Sequence, residues 1–178
     1  MSIVASDIKL KLSTTAGSAG NSGTGTVGAS LGKYISTTVI SDGVANGLFP
    51  DISGAQNAAS RVDYACVFVH NSHATLTLTG ASVYLSAEVS GGASIAIGID
   101  TTAESAIGSS SAQALTIAND TTAPAGVSFS SPTTTGAALS LGDIPAGHCR
   151  AFWARRTAAN TAAVANDGVT FTVFGDTL

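Results

Sequence analysis

Two histidines and a cysteine lie close enough in the sequence to suggest a metal site. Cys66, His70 and His73 are near neighbours, and thiolate and imidazole groups are ligands that zinc prefers. Further ligands would have to come from another strand, for which His148 and Cys149 are the candidates. However, this spacing fits no standard zinc motif, and Cys66 lies within an apolar run. We therefore predict that the chain holds no metal ion.

A second motif invites a nucleotide interpretation. Residues 23–28, with the sequence GTGTVG, match the G-x-G-x-x-G fingerprint of dinucleotide-binding folds. That fingerprint functions between a strand and a helix, because the pyrophosphate is bound at the helix N-terminus. Here Gly32 and then β-branched residues follow, so no helix is expected. The pattern indicates a glycine-rich loop, and we predict no bound cofactor.

The sequence offers little for acid–base catalysis. Its two glutamates are Glu88, which alternates out of a predicted strand, and Glu104, which lies in a predicted loop. Asp51 and Asp63 flank another predicted strand without an evident carboxylate partner for glycoside cleavage. No G-K-[ST] phosphate loop is present. Because catalysis requires such groups in mutual reach, we predict that the chain is not an enzyme.

Period-two alternation of apolar and polar residues dominates the chain and predicts strands. One of them, residues 62–69, is apolar on both faces, which is typical of a strand covered on both sides. Two segments, 53–59 and 158–165, could each form a short helical turn. The expected strands are 8–12, 33–40, 62–69, 74–79, 83–89, 95–99, 147–156 and 169–174, with weaker candidates at 113–117 and 126–130.

This pattern predicts an all-β fold, a two-sheet antiparallel sandwich of jelly-roll type. Residues 13–30 are almost entirely Ser, Thr, Gly and Ala, and they have little to bury. We therefore expect residues 1–30 to form a first strand and a flexible, extended arm or loop. Residues 31–178 are expected to form the sandwich domain.

Charge excludes some classes of partner. Charged residues make up 10% of the chain and the net charge is −4, so no basic surface is available to neutralise nucleic-acid phosphates. No apolar run is long enough for a membrane-spanning helix. The N-terminus shows no secretory signal, so we expect synthesis in a cytoplasm, with Cys66 and Cys149 as free thiols.

The late strand 147–156 contributes the candidate interface residues. Trp153 should face a core together with Cys149, because both lie on one face of the strand. Arginine and aromatic residues are common anchors of protein interfaces. The candidates are Arg150, Phe152, Arg155 and Arg156. The alternative is that these arginines are solvated, or paired with Asp63 or Asp143.

Two stretches resemble a known group of proteins. Residues 48–59 read LFPDISGAQNAA and lead into RVDYACVFVHN at 61–71, while residues 144–157 read IPAGHCRAFWARRT. They resemble proteins from tailed-bacteriophage structural gene clusters, in which a Phe-Asp-x-Ser-Gly-like turn precedes a Tyr-x-Cys-x-Phe-Val-x-Asn strand, and a late strand carries Trp-x-Arg-Arg after Pro-Ala-Gly. Pro50 replaces the usual acidic residue, which changes a turn and leaves the strand intact.

The resemblance implies a component of the virion, made in the host cytoplasm. A weakly charged surface has little repulsion to keep copies apart. We therefore expect a capsid decoration (cement) protein on the head surface, a homotrimer that binds between subunits of the major capsid protein. The alternative is a tail, baseplate or fibre component that binds a receptor or carbohydrate, with Tyr34, Tyr84 and Phe174 as the aromatic candidates. A cellular lectin or carbohydrate enzyme ranks lower, because paired carboxylates and a calcium-type Asp cluster are lacking.

Overall fold

The computed structural model describes residues 2–18, 23–109 and 111–177. Within these ranges nearly all regular structure is strand, as the alternation predicts. The elements in chain order are β1 (Ile8–Thr14), β2 (Tyr34–Val39), α1 (Gly54–Ala58), β3 (Val62–Asn71), β4 (Leu78–Glu88), β5 (Ser94–Ile99), β6 (Ser105–Ala106), β7 (Leu139–Ile144), β8 (His148–Thr157) and β9 (Val169–Thr177), with short 3-10 turns at Ala5–Asp7 and Thr135–Ala137.

The strands form two antiparallel sheets. The large sheet has the order β2-β1-β3-β8-β5, with the short β6 also paired to β8, and the small sheet has the order β7-β4-β9. The two sheets pack face to face around one hydrophobic cluster. The predicted two-sheet antiparallel sandwich is therefore confirmed, whereas its jelly-roll connectivity is not.

The main core lies between the sheets. Val67 and Phe152 reach it from the large sheet, and Val83 and Leu85 reach it from β4 of the small sheet; all four are buried. The Phe152 ring meets that of Phe171 on β9, with 5.5 Å between ring centroids. Removal of this apolar surface from water is what holds the two sheets together.

The other face of the large sheet is also covered. Cys66, Phe68 and Trp153 point away from the small sheet and pack against Ala114 and Ile117, which belong to the long connection between β5 and β7. We call residues 100–132 the covering segment. β3 is thus buried on both faces, which confirms the prediction made from its apolar residues.

A buried carboxylate fastens the covering segment to the sheet. Asp100 is 1% exposed, and its Oδ2 accepts hydrogen bonds from Trp153 Nε1 at 2.6 Å and from the Leu115 amide at 3.0 Å. Its Oδ1 accepts from the Thr102 amide at 2.7 Å. These partners compensate for the cost of burying a charge. Asp100 therefore ties β8 to the covering segment.

The glycine-rich segment before β2 is held against the large sheet. The Thr37 amide donates to the Gly23 carbonyl, and the Gly25 amide donates to Thr38 Oγ1. Ser30 Oγ donates to the Cys66 carbonyl at 2.6 Å. Residues 23–30 therefore form a hydrogen-bonded loop, while residues 19–22 of the predicted arm lie outside the described ranges. β1 pairs with both β2 and β3, so it shares one sheet with strands that follow residue 30.

The two helical predictions have different outcomes. Residues 54–58 form α1, because Ser53 caps the helix by accepting from the Gln56 amide while Gln56 Oε1 accepts from the Ser53 amide. The predicted turn of helix at 158–165 is wrong. Asn160 has a positive φ of 54°, which interrupts a right-handed helix. No helix in the described ranges is long and apolar enough to cross a membrane.

Substitution of Gly32 should test how closely the covering segment packs. Gly32 has a φ of +89°, and a Cβ atom there would lie 1.8 Å from the Leu115 carbonyl oxygen. Gly32→Ala should therefore lower the free energy of unfolding by roughly 3 kcal/mol, as backbone strain adds to the displacement of the segment. Urea denaturation measures the loss.

Gly43→Ala is the matched control. Gly43 also has a positive φ, +69°, but no atom lies within 4 Å of the Cβ position. Its substitution should cost only about 1 kcal/mol, the penalty of a left-handed backbone. Equal losses in the two variants would contradict the close packing of the covering segment.

Candidate functional site

An ion-pair cluster joins β3, β8 and the loop before α1. Asp63 is 1% exposed, and its Oδ2 accepts from Arg156 Nε at 3.1 Å and Nη2 at 2.6 Å. Arg61 Nε donates to the other carboxylate oxygen, and its Nη2 donates to Asp120 at 2.7 Å. Arg156 Nη1 also donates to the Pro50 carbonyl at 2.8 Å. The alternative that Arg156 pairs with Asp63 is confirmed.

The other predicted interface residues are also engaged within the chain. Phe152 is fully buried, and its prediction as an interface residue is wrong because its side chain points between the sheets. Arg150 Nη2 donates to the Asp100 carbonyl at 3.1 Å, and the Arg155 guanidinium lies over the Phe129 ring, 5.3 Å from its centroid. Both arginines are half-buried. They fasten the covering segment, and their part in an interface stays a prediction.

The two stretches that carry the family resemblance are neighbours in the large sheet. β3 pairs with β8 along most of its length, with Cys66 opposite Trp153. Trp153 binds Asp100, and the Tyr64 ring meets that of Phe129, with 5.6 Å between centroids. These two stretches therefore build the centre of the large sheet and contact its covering segment.

Both cysteines are buried free thiols, as predicted. Burial raises the pKa of Cys66 well above its usual value, and it raises the pKa of Cys149 to about 12. The thiolate is the nucleophilic and metal-binding form of cysteine. Near neutral pH both side chains are therefore protonated and behave as small core residues.

The two histidines near Cys66 have separate environments. His70 lies beside β1, and burial, followed by the charges of Lys11 and Lys9, lowers its pKa to about 4. His73 Nδ1 accepts from the amides of Thr75 and Leu76 at 3.1 and 3.0 Å. In the part of the chain that the structure describes, no three His, Cys, Asp or Glu side chains are grouped to hold a metal ion.

The two glutamates have local structural partners. Glu88 Oε1 accepts from the Ile95 amide at 2.6 Å, which closes the β4–β5 connection. Glu104 Oε2 lies 2.5 Å from His148 Nδ1, so it links the covering segment to the start of β8. The third carboxylate named as an enzyme candidate, Asp51, is exposed in the loop before α1.

A large groove runs beside β9, and we call it the β9 groove. Its volume is ≈ 1390 Å³. β9 forms one side of it, and β1 with residues 39–54 forms the other; residues 3–6 and 158–168 also contribute to its walls. The apolar side chains Ile8, Leu10 and Ile40 lie in it, only partly buried against the main core.

The exposed apolar residues are concentrated in this groove. Among the described residues, the large hydrophobic side chains that stay exposed are Val4, Val39, Val44 and Phe174. All four are among the residues that line the β9 groove. Val4 and Val44 are exposed there beside the partly buried Ile8, Leu10 and Ile40, whereas the side chains of Val39 and Phe174 point to the outer faces of their sheets. Exposed apolar surface of this kind marks interaction sites. The sequence analysis missed the groove, because these residues are isolated in the chain and only the fold gathers them.

The backbone of β9 adds a second feature. β9 is the last strand of the small sheet and pairs only with β4. Natural edge strands are usually protected by lysine, proline, a bulge or a covering element. β9 contains neither lysine nor proline, and its one charged residue, Asp176, lies near its end. Its free edge is therefore open to pairing.

The outer face of the small sheet brings together two of the three aromatic candidates. The Tyr84 and Phe174 rings meet edge to face, with 6.0 Å between centroids. Ser86 and Thr172 share a hydrogen bond of 2.7 Å on the same pair of strands. Tyr34 is not part of this group and lies under Lys33.

Comparison with protein-family models, with curated proteins and with solved structures found no match to this chain. A function therefore has to be inferred from its own residues and their geometry. The β9 groove leaves apolar side chains partly uncovered, whereas the polar clusters around Asp63 and Asp100 join elements of the fold.

Substitution of Asp63 should show that the ion-pair cluster is structural. Asp63→Asn removes the charge that faces two arginines, and leaving them unpaired should lower the free energy of unfolding by roughly 2–4 kcal/mol. Asp120→Asn is the matched control, because Asp120 has a single partner and a side chain that is 26% exposed. It should cost less than about 1 kcal/mol. Chemical denaturation measures both, and a larger effect at Asp120 would contradict this assignment.

The half-buried His70 should make the fold sensitive to acid. The pKa of His70 is about 4 in the fold against an ordinary value of 6.5, so the unfolded chain takes up a proton before the folded chain does. Stability should therefore fall as the pH is lowered from 6.5 to 4. Because the side chain is only half-buried, we expect roughly 1–2 kcal/mol from this group.

His70→Gln should remove this part of the pH dependence, because glutamine does not titrate. Urea denaturation of both proteins at several pH values between 7 and 4 measures the difference. The variant should keep whatever slope the carboxylates contribute. An unchanged slope would show that His70 is not the responsible group.

Proposed function

We propose that this chain is a non-enzymatic structural protein of a tailed-bacteriophage particle, and specifically a capsid decoration protein that binds between subunits of the major capsid protein. The observation that carries the proposal is the β9 groove, where exposed apolar side chains lie beside an unpaired strand edge. Apolar contacts combined with backbone hydrogen bonds are the chemistry by which one polypeptide binds another.

The charge of the chain also supports a role in a crowded assembly. Charged residues make up 10% of the sequence, and Arg61 and Arg156 are already paired with carboxylates of the same chain. Repulsion between adjacent copies is therefore weak. We propose that the protein is made in the host cytoplasm and occupies the outer surface of the head, as homotrimers at sites of three-fold symmetry.

Such a protein would stabilise the head through many modest contacts. Each valine that is exposed in the free chain and becomes buried on binding contributes about 1–2 kcal/mol of transfer free energy. The entropic cost of ordering the two partners must be subtracted from this gain. A trimer that binds several capsid subunits at once binds more tightly than a single copy, because the first contact raises the effective concentration of the remaining ones. The fold suits this role because the covering segment and the ion-pair cluster are fixed by the chain's own hydrogen bonds.

A second candidate function is a tail, baseplate or fibre component that binds a receptor carbohydrate. The observation that favours it is the Tyr84–Phe174 pair on the outer face of the small sheet, where Phe174 is 39% exposed. Exposed aromatic rings beside hydroxyl groups can receive the apolar face of a sugar. The decoration function ranks first because the groove offers a larger and more distinctive site.

Labelling of intact particles tests the proposal. An antibody against this chain, detected by electron microscopy, should coat the heads densely, because a decoration protein is present in many copies. Washing the particles at high salt should remove little of the label, since apolar contacts are not screened.

Preimmune serum on the same particles is the control. Labelling confined to one pole would refute the decoration function in favour of the tail component. Particles without any label would refute both functions.

A further inference from the structure

We propose that the β9 groove binds an extended segment of a partner polypeptide, which adds to the small sheet as a new strand beside β9. This inference rests on the proposed function, because it specifies how the chain would bind another protein of the particle. It names the kind of segment bound and the backbone that binds it.

The unequal size of the two sheets leaves room for this strand. Five strands form the main order of the large sheet, against three in the small sheet. On the inner face of β1, Ile8 and Leu10 are only partly buried, and both line the β9 groove. One more strand beside β9 would cover them. β9 has nine residues, so its free edge is roughly 30 Å long.

The size and chemistry of the groove indicate a polypeptide. Its volume of ≈ 1390 Å³ exceeds the ~300–1,000 Å³ that is typical of small-molecule pockets. An unpaired strand edge presents backbone donors and acceptors at regular spacing, and an extended chain matches that spacing. The exposed Val44 and the partly buried Ile40 then contact alternate side chains of the bound segment.

A second copy of β9 fits the groove poorly. Pairing of β9 with itself would bring the whole small sheet of the second copy beside the first. However, β9 contains no basic residue, and its one charged residue, Asp176, does not complement the exposed Asp42 and Asp51 of the groove. A segment of a different chain avoids this mismatch.

Charge further defines the segment. Asp42 and Asp51 are exposed in the wall formed by residues 39–54, and neither makes a salt bridge within the described ranges. Arg156 also lines the groove but is paired with Asp63. The segment that fits is therefore uncharged along β9, apolar at alternate positions, and basic at the end that lies near Asp42 and Asp51.

A synthetic peptide tests this inference without any phage particle. The probe is a nine-residue peptide of alternating valine and threonine, with two lysines at one end and a fluorophore at the other. Fluorescence anisotropy with the full chain should show saturable binding. Hydrogen–deuterium exchange should slow at the amides of Val169–Gly175, because the added strand protects the free edge of β9.

Val44→Asp should weaken peptide binding about tenfold or more, because it places a charge in an apolar contact. Val44 is 58% exposed, so the variant should fold normally, which thermal unfolding checks. Val4→Asp is a second groove variant with the same expected effect. Thr134→Asp is the matched control, an exposed position outside the groove whose substitution should leave binding unchanged.

Changes in the probe provide the complementary test. Proline at alternate positions should abolish binding, because proline cannot donate to a strand ladder. Replacing the two lysines by glutamates should weaken binding several-fold, through repulsion by the acidic wall. Absence of saturable binding, equal binding by Val44→Asp, or exchange protection confined to elements other than β9 would each overturn the inference.

The two proposals fail separately. Heads that label densely while the chain does not bind the peptide would leave the decoration function standing and refute strand addition. Peptide binding with slowed exchange in β9, on a chain that labels no particle, would leave strand addition standing and refute the decoration function.

Discussion

The structure depends on burial of the large sheet on both faces. Its central strands carry apolar side chains on each side, so one layer of cover cannot remove them from water. The small sheet covers one face through Val83 and Leu85, and the covering segment closes the other around Trp153. This requirement explains why a chain with so few aromatic residues folds as three layers. Its largest fully buried side chains, Trp153, Phe68 and Phe152, lie on β3 and β8, where both layers meet them.

The polar residues that looked most reactive in the sequence serve this layering. Asp100 fixes the covering segment to β8, and Asp63 of β3 pairs with Arg156, which also binds the loop before α1. Each carboxylate is buried together with the donors that compensate for its desolvation. A buried and fully paired carboxylate is poorly placed to exchange protons with a substrate. These two carboxylates therefore stabilise the contacts between elements of the chain.

The same layering leaves one part of the large sheet incompletely covered. The three strands of the small sheet do not cover the whole inner face of the five-stranded large sheet. The part left uncovered lies beside β9, at the β9 groove. The apolar surface that remains there is a consequence of sheet size, and it coincides with an unpaired strand edge. A protein that completes its core with a segment of another chain gains stability and affinity from the same contacts. Such coupling of stability to binding suits a protein that functions as part of an assembly.

The sequence by itself determined the local elements. Alternation of apolar and polar residues located most of the strands, and the double-sided apolar run at 62–69 identified the buried strand, because side-chain direction alternates along a strand. Only the tertiary structure decided which surfaces are free. Phe152 is buried because β9 lies over it, Arg156 is occupied because Asp63 lies on the neighbouring strand, and the exposed valines form one groove because distant segments meet there. These facts depend on contacts between residues far apart in the chain, which local periodicity does not record.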